Sequence, residues 1–182
     1  TVDIYSVNVH TGAKRLIGRS YRTAPKWSVN GKWAVMYDPI AQVWNKFDGA
    51  TGKVVNISDA IGYPMFMESY DKPAPAPAYG IAGWTADGNN VFLYDAYDWW
   101  KIDLTGERQP ECLTKGYGRK HGKSIRKMTS NIDKDVFQKD EKVIVSLWDK
   151  DTMDEGVYQL DMKGRLRKLM EGNYVYTIHR FS

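Results

Sequence analysis

Trp84-Thr85-Ala86-Asp87-Gly88-Asn89-Asn90-Val91-Phe92-Leu93-Tyr94-Asp95 reads as a strand, a tight turn and a second strand. Asp-Gly is among the strongest short hairpin signals, because both residues tolerate the positive φ that such turns demand. The same pattern occurs earlier as Trp27-Ser28-Val29-Asn30-Gly31-Lys32, which runs into Trp33-Ala34-Val35-Met36-Tyr37-Asp38. A third copy keeps only the second half, Val143-Ile144-Val145-Ser146-Leu147-Trp148-Asp149. A repeated supersecondary unit sets the architecture of a chain, so it is weighed before any single motif.

Outward from the hairpin, a second unit repeats as well. An aromatic-rich strand ends in Asp or Asn, and Gly follows three or four residues later: Asn8 to Gly12, Asp48 to Gly52, Asp103 to Gly106 and Asp161 to Gly164. The strands leading in carry Tyr5, Trp44, Trp99 with Trp100, and Tyr158. Short strands lead out at Arg15–Ile17, Val54–Ile57, Glu111–Leu113 and Arg167–Leu169. Each full unit therefore holds four antiparallel strands, the signature of a propeller blade. Asp48 and Asp103 lie 55 residues apart, and Asp103 and Asp161 lie 58 apart. A lean blade takes about 40–45, so the surplus is assigned to loops at 59–78, 115–123 and 133–142.

The fold expected is all-β, a single β-propeller fragment over residues 1–182. It comprises a partial blade at 3–17, full blades at about 23–58, 79–114 and 124–170, and the start of a further blade at 174–181. The competing reading is a β-sandwich, which has no reason to repeat the Trp-turn-strand unit in register. No segment sustains a 3.6-residue apolar period, which argues against a helical fold. Tyr174–Phe181 is expected either to lie beside Asp3–Val9 and close a small ring, or to leave an edge on which two chains meet.

Composition narrows the function classes. Seven Trp and 12 Tyr suit half-buried pleated surfaces. No apolar run approaches the roughly 20 residues of a membrane span, and no signal peptide is visible. The first residue is Thr1, inside an expected strand, so the chain reads as a fragment or a processed product. Cys112 is the only cysteine, which excludes a disulfide framework. The net charge of +4 is local: Lys115, Arg119, Lys120, Lys123, Arg126 and Lys127 fall together without an acid, and the rest of the chain is slightly acidic. Such a loop, with Tyr117, could grip phosphate or stack a base, but the run is short. A solvated connection between blades is expected, with no nucleic-acid partner.

The repeat Trp-Ser-x-Asn-Gly-Lys, followed by a strand ending Tyr-Asp, resembles the propeller of the prolyl oligopeptidase family of serine peptidases. The more specific stretch is Tyr70-Asp71-Lys72-Pro73-Ala74-Pro75-Ala76-Pro77-Ala78-Tyr79-Gly80-Ile81-Ala82-Gly83-Trp84. It is similar to a proline-rich loop and inner strand of large secreted bacterial members. Leu93–Trp100, Leu113–Lys120 and Gly156–Tyr158 resemble the hairpins that follow. The resemblance implies a periplasmic or extracellular parent whose propeller caps a C-terminal α/β-hydrolase domain bearing a Ser-Asp-His triad and acting on peptides. This sequence departs from the family in lacking that hydrolase half, so no catalytic residue is carried over. The Glu pair with which dipeptidyl peptidases hold a substrate's N-terminus is not recognisable either. The alternative is a stand-alone propeller that binds protein or glycan partners.

The residues themselves assign no catalytic, cofactor or metal site. A nucleophile elbow needs Gly-x-Ser-x-Gly; Ser20 and Ser124 have the first glycine and lack the second. His10, His121 and His179 are far apart and read as turn or surface histidines. Asp149–Gly156 invites a calcium loop, but counting from Asp149 puts Met153, Asp154 and Leu160 where an EF-hand needs an oxygen ligand, Gly and Glu. A hairpin connection fits better. The aromatics recur at matching positions, as packing between blades requires. Tyr63, Phe66 and Tyr70 lie outside the repeat with Met65 and Met67, in a loop stiffened by Pro73, Pro75 and Pro77, and this loop is the expected place for contact with a partner.

Overall fold

The computed structural model describes residues 1–128 and 135–176. Strands β1 (Val2–Val7) and β2 (Lys14–Tyr21) form a two-stranded antiparallel sheet. Strands β3 (Lys26–Trp27), β4 (Trp33–Asp38), β5 (Val43–Asp48) and β6 (Val54–Asn56) follow as a four-stranded meander. The third sheet is built from β7 (Ile81–Thr85), β8 (Asn90–Tyr94), β9 (Trp99–Asp103) and β10 (Glu111–Cys112). The short helix α1 (Tyr117–His121) leads into the fourth, made of β11 (Lys123–Lys127), β13 (Lys142–Asp149), β14 (Glu155–Asp161) and β15 (Leu166–Gly172). The chain is an all-β propeller fragment of four-stranded antiparallel blades, and among the described residues no barrel is closed.

The repeated turn has the same chemistry in both copies. Ser28 Oγ donates to Asn30 Oδ1 and accepts the Trp33 N–H, while Thr85 Oγ1 donates to Asp87 Oδ1 and accepts the Asn90 N–H. Gly31 and Gly88 take φ of 68° and 69°, a conformation that costs a glycine little. The two turns also touch: Asn30 Nδ2 donates to the Asp87 carbonyl at 2.9 Å. A Cβ on Gly88 would fall 2.7 Å from Asn30, so glycine is needed there for the approach as well as for φ.

Among the described residues three apolar cores separate the four sheets, in chain order. Ala34, Met36 and Phe47 pack with Tyr21, Ile4 and Ile17 of the first sheet. Trp33, Val35, Tyr37 and Trp44 point the other way, onto Trp84, Val91, Leu93 and Ile102 of the third. Phe92, Tyr94 and Trp99 then meet Ile125, Val145, Leu147 and Tyr158 of the fourth. The apolar runs in β4 and β8 are unbroken for this reason: both faces of each strand are covered, so neither face needs polar residues.

Two features depart from the sequence reading. Val136–Phe137, expected within a loop of the last full blade, forms strand β12 and pairs in parallel with β7, making the third sheet five-stranded. Gly83 permits it, since a Cβ there would lie 2.5 Å from the Phe137 ring and 2.6 Å from the Asp135 carbonyl. The bulge between Ile81 and Gly83 adds a residue, so that Ala82 and Trp84, two apart, face different cores. Second, the matching tryptophans meet different fates: Trp84 is buried and Trp27 is 55% exposed, edge-on to Phe47. The face carrying Trp27 looks toward the first sheet, whose two strands do not reach across it. Of the expected further blade, Tyr174–Tyr176 form no strand, and residues 177–181 lie outside the described residues.

Candidate functional site

The outer end of the third sheet carries a polar network that its neighbour lacks. In the second sheet Asp38 pairs with Val43, ahead of Trp44; in the third, Asp98 stands one residue before the corresponding Trp99. Thr114 accepts the Trp99 N–H as Ser58 accepts that of Trp44. The local plan is shared, therefore, but an aspartate has replaced an apolar residue.

Asp98 is 1% exposed. Burying a carboxylate is costly unless hydrogen bonds satisfy it. Its Oδ1 accepts the Thr114 hydroxyl at 2.6 Å and the Gly118 N–H at 2.9 Å, and its Oδ2 accepts the Arg119 N–H at 3.0 Å. The carboxylate thus fastens the first turn of α1 to the sheet. Gly118 is required for the fit: a Cβ would lie 2.6 Å from the Tyr97 carbonyl. Asp95, fully buried, turns its Oδ1 to the N–H groups of Tyr97 and Asp98. Its Oδ2 accepts the Trp100 indole N–H at 3.1 Å and the Arg119 guanidinium at 3.0 Å.

Arg119 lies with its guanidinium 3.8 Å from the centre of the Tyr63 ring and 5.0 Å from that of Tyr97. Partial burial works against its charge, but the hydrogen bond and attraction of Asp95 outweigh burial and hold Arg119 above its ordinary pKa. Arg126 donates to the carbonyls of Asp95, Ala96 and Ile125 and lies over the Tyr94 and Tyr79 rings. Burial pushes its pKa below the ordinary value. Tyr63, Trp100, Cys112, Arg119 and Lys120 line, with the two carboxylates, an open cleft of about 380 Å³. Burial also raises the pKa of the Cys112 thiol, whose sulfur accepts the Gly116 N–H, so it rests as a thiol.

The basic run is consequently a docked connection, where the sequence reading expected a solvated one. Arg126 is spent on the network, Arg119 gives one amino group to Asp95, Lys123 pairs with Glu171, and Lys127 pairs with Asp135. Asp95 and Glu171, distant in sequence, absorb part of this charge, and a local charge count cannot see them. Of the expected partner loop, Tyr63 reaches the cavity, while Met65 is buried in the core and Phe66 bridges to Ala78.

His10 sits in the β1–β2 turn, where its N–H donates to Asn8, and His121 stacks on Tyr117 at the end of α1. His179 is outside the described residues. Ser124 lies within β11, its hydroxyl toward the Trp148 carbonyl. The Asp149–Gly156 stretch is the β13–β14 hairpin, with the Asp149 carboxylate accepting the N–H groups of Asp151 and Thr152. Among the described residues no group of three or more His, Cys, Asp or Glu could hold a metal ion, and no helix is long and apolar enough to cross a membrane. No protein-family model matches the chain, and no curated protein matches it in sequence.

Proposed function

We propose that the chain is the non-catalytic propeller portion of a secreted serine peptidase of the prolyl oligopeptidase family, shaping peptide access to a hydrolase domain elsewhere in the parent protein. The observation that carries this reading is the stack. Blade-like sheets follow one another in chain order, each burying a face against the next, in the manner of blades around a propeller. The proline-rich loop on which the family resemblance rests is tied down as a fixed feature: Tyr37 donates to the Ala76 carbonyl, and Tyr79 accepts the Glu68 N–H. A loop anchored in this way suits a wall that restricts access. A fold alone does not decide function, so the peptidase assignment draws on those loop and repeat residues.

The test is activity-based labelling of the full-length parent protein with a fluorophosphonate. The expected result is one labelled serine, in a Gly-x-Ser-x-Gly context outside residues 1–182, while the 182-residue chain alone stays unlabelled. A parent protein that takes up no label, or a label mapped within this chain, would overturn the proposal. The cavity beside Arg119 favours a second reading, a stand-alone binding propeller, and the unlabelled parent is the outcome that reading predicts.

A further inference from the structure

The cavity at the outer end of the third sheet is built for a ligand of definable chemistry. Its volume, about 380 Å³, falls within the range of about 300–1,000 Å³ common for small-ligand sites. Tyr63 and Trp100 supply aromatic walls, their rings 6.1 Å apart. Arg119 is fixed from two sides, by one amino group on Asp95 and by its face on Tyr63. Its Nε and Nη1 donate to no group among the described residues, and Nη2 has a second N–H besides the one on Asp95, so one two-donor edge of the guanidinium is open. An immobilised guanidinium with unused donors is a preorganised fork, and that planar fork matches a carboxylate.

Unused donors select the sign of the ligand. In the lining Asp95 and Asp98 stand against Arg119 and Lys120, so its formal charges balance. Both buried carboxylates are already filled by N–H and O–H donors, so they offer little to a cation. A lining without excess positive charge suits a monoanion better than a phosphate dianion.

We propose that this cavity binds a carboxylate carried on an apolar body, with Arg119 clamping the carboxylate, Lys120 adding charge at the mouth, and Tyr63 and Trp100 packing the body. The inference stands independently of the peptidase reading, since the same cavity exists whatever the parent protein does.

The test is titration of the 182-residue chain with N-acetyl-phenylalanine, followed by calorimetry and by the NMR signal of the Trp100 indole N–H, with N-acetyl-phenylalanine amide and phenyl phosphate as comparison probes. The acid should bind and shift the indole signal. The amide should bind at least about tenfold more weakly, the effect of losing a charge-assisted pair, and the phosphate should bind no tighter than the acid. Arg119→Met should remove the preference for acid over amide. Should that variant fail to fold, Lys120→Ala and Tyr63→Ala decide, because both side chains are at the surface, and each should weaken acid binding several-fold. Equal binding of acid and amide, tighter binding of the phosphate, no binding of the acid, or unchanged affinity in both surface variants would overturn the proposal.

Discussion

Asp98 shows how one side chain can organise a connection between blades. Its two oxygens hold three donors, one on Thr114 and two on the α1 backbone. Replacement by asparagine would turn an NH₂ group toward an N–H that needs an acceptor. Leaving a buried donor unsatisfied costs about 1–3 kcal/mol. Asp98→Asn should therefore lower the urea midpoint by an amount corresponding to that range with an unchanged slope, whereas Asp151→Asn, on an exposed turn, should stay within about 0.5 kcal/mol. Equal midpoints for the two variants would show that Asp98 does not hold the helix. The role of Asp98 was hard to read from the sequence, because its partners lie 16 to 21 residues away. A faint signal existed in the register: an aspartate stands before Trp99 where Val43 stands before Trp44. Without the pairing of strands, that register was invisible.

At the scale of the element, the Asp turns govern both the legibility of the fold and its response to acid. Backbone N–H groups of Thr51, Asp151 and Arg165 donate to Asp48, Asp149 and Asp161 and hold each carboxyl below its ordinary pKa of 3.8. A carboxyl whose pKa is lower in the folded state contributes stability that is complete above its unfolded pKa. That contribution drains away as pH falls through the folded value. Melting temperature should thus hold on the acid side of neutrality and fall once pH drops below about 4. The variant Asp48→Asn/Asp149→Asn/Asp161→Asn keeps the turn acceptors, since asparagine makes the same turn, and should show a shallower fall over that window. An equally steep fall in the variant would assign acid sensitivity to other groups. These turns are also why the strand order was readable: Asp-Gly and Asn-Gly spacings are local chemistry. Strand β12 was not readable, because two residues paired in parallel across a bulge leave no period in the sequence, and only the close approach at Gly83 makes room for them.

At the scale of the molecule, stability should be graded along the stack. A strand between two sheets loses apolar surface on both faces; a strand at the end loses it on one. Val91, Phe92 and Leu93 of β8 are no more than 1% exposed, whereas Val2, Tyr5 and Val7 of β1 are all more than half exposed. Local opening is cheapest where few apolar contacts are broken. Amide hydrogen exchange should accordingly be slowest in peptides covering residues 90–94 and 99–103, intermediate in 142–161, and fastest in 2–7 and 14–21. Substitution should follow the same gradient. Leu93→Ala removes a side chain buried in the core shared by the second and third sheets and should cost about 2–5 kcal/mol, while Val7→Ala at the exposed face should change stability by no more than about 0.5 kcal/mol. A uniform exchange profile would mean that the four sheets open as a single unit. Slower exchange in β1 than in β8 would contradict the stack itself, because it would require a covered outer face where the structure shows exposed Tyr5 and Val7.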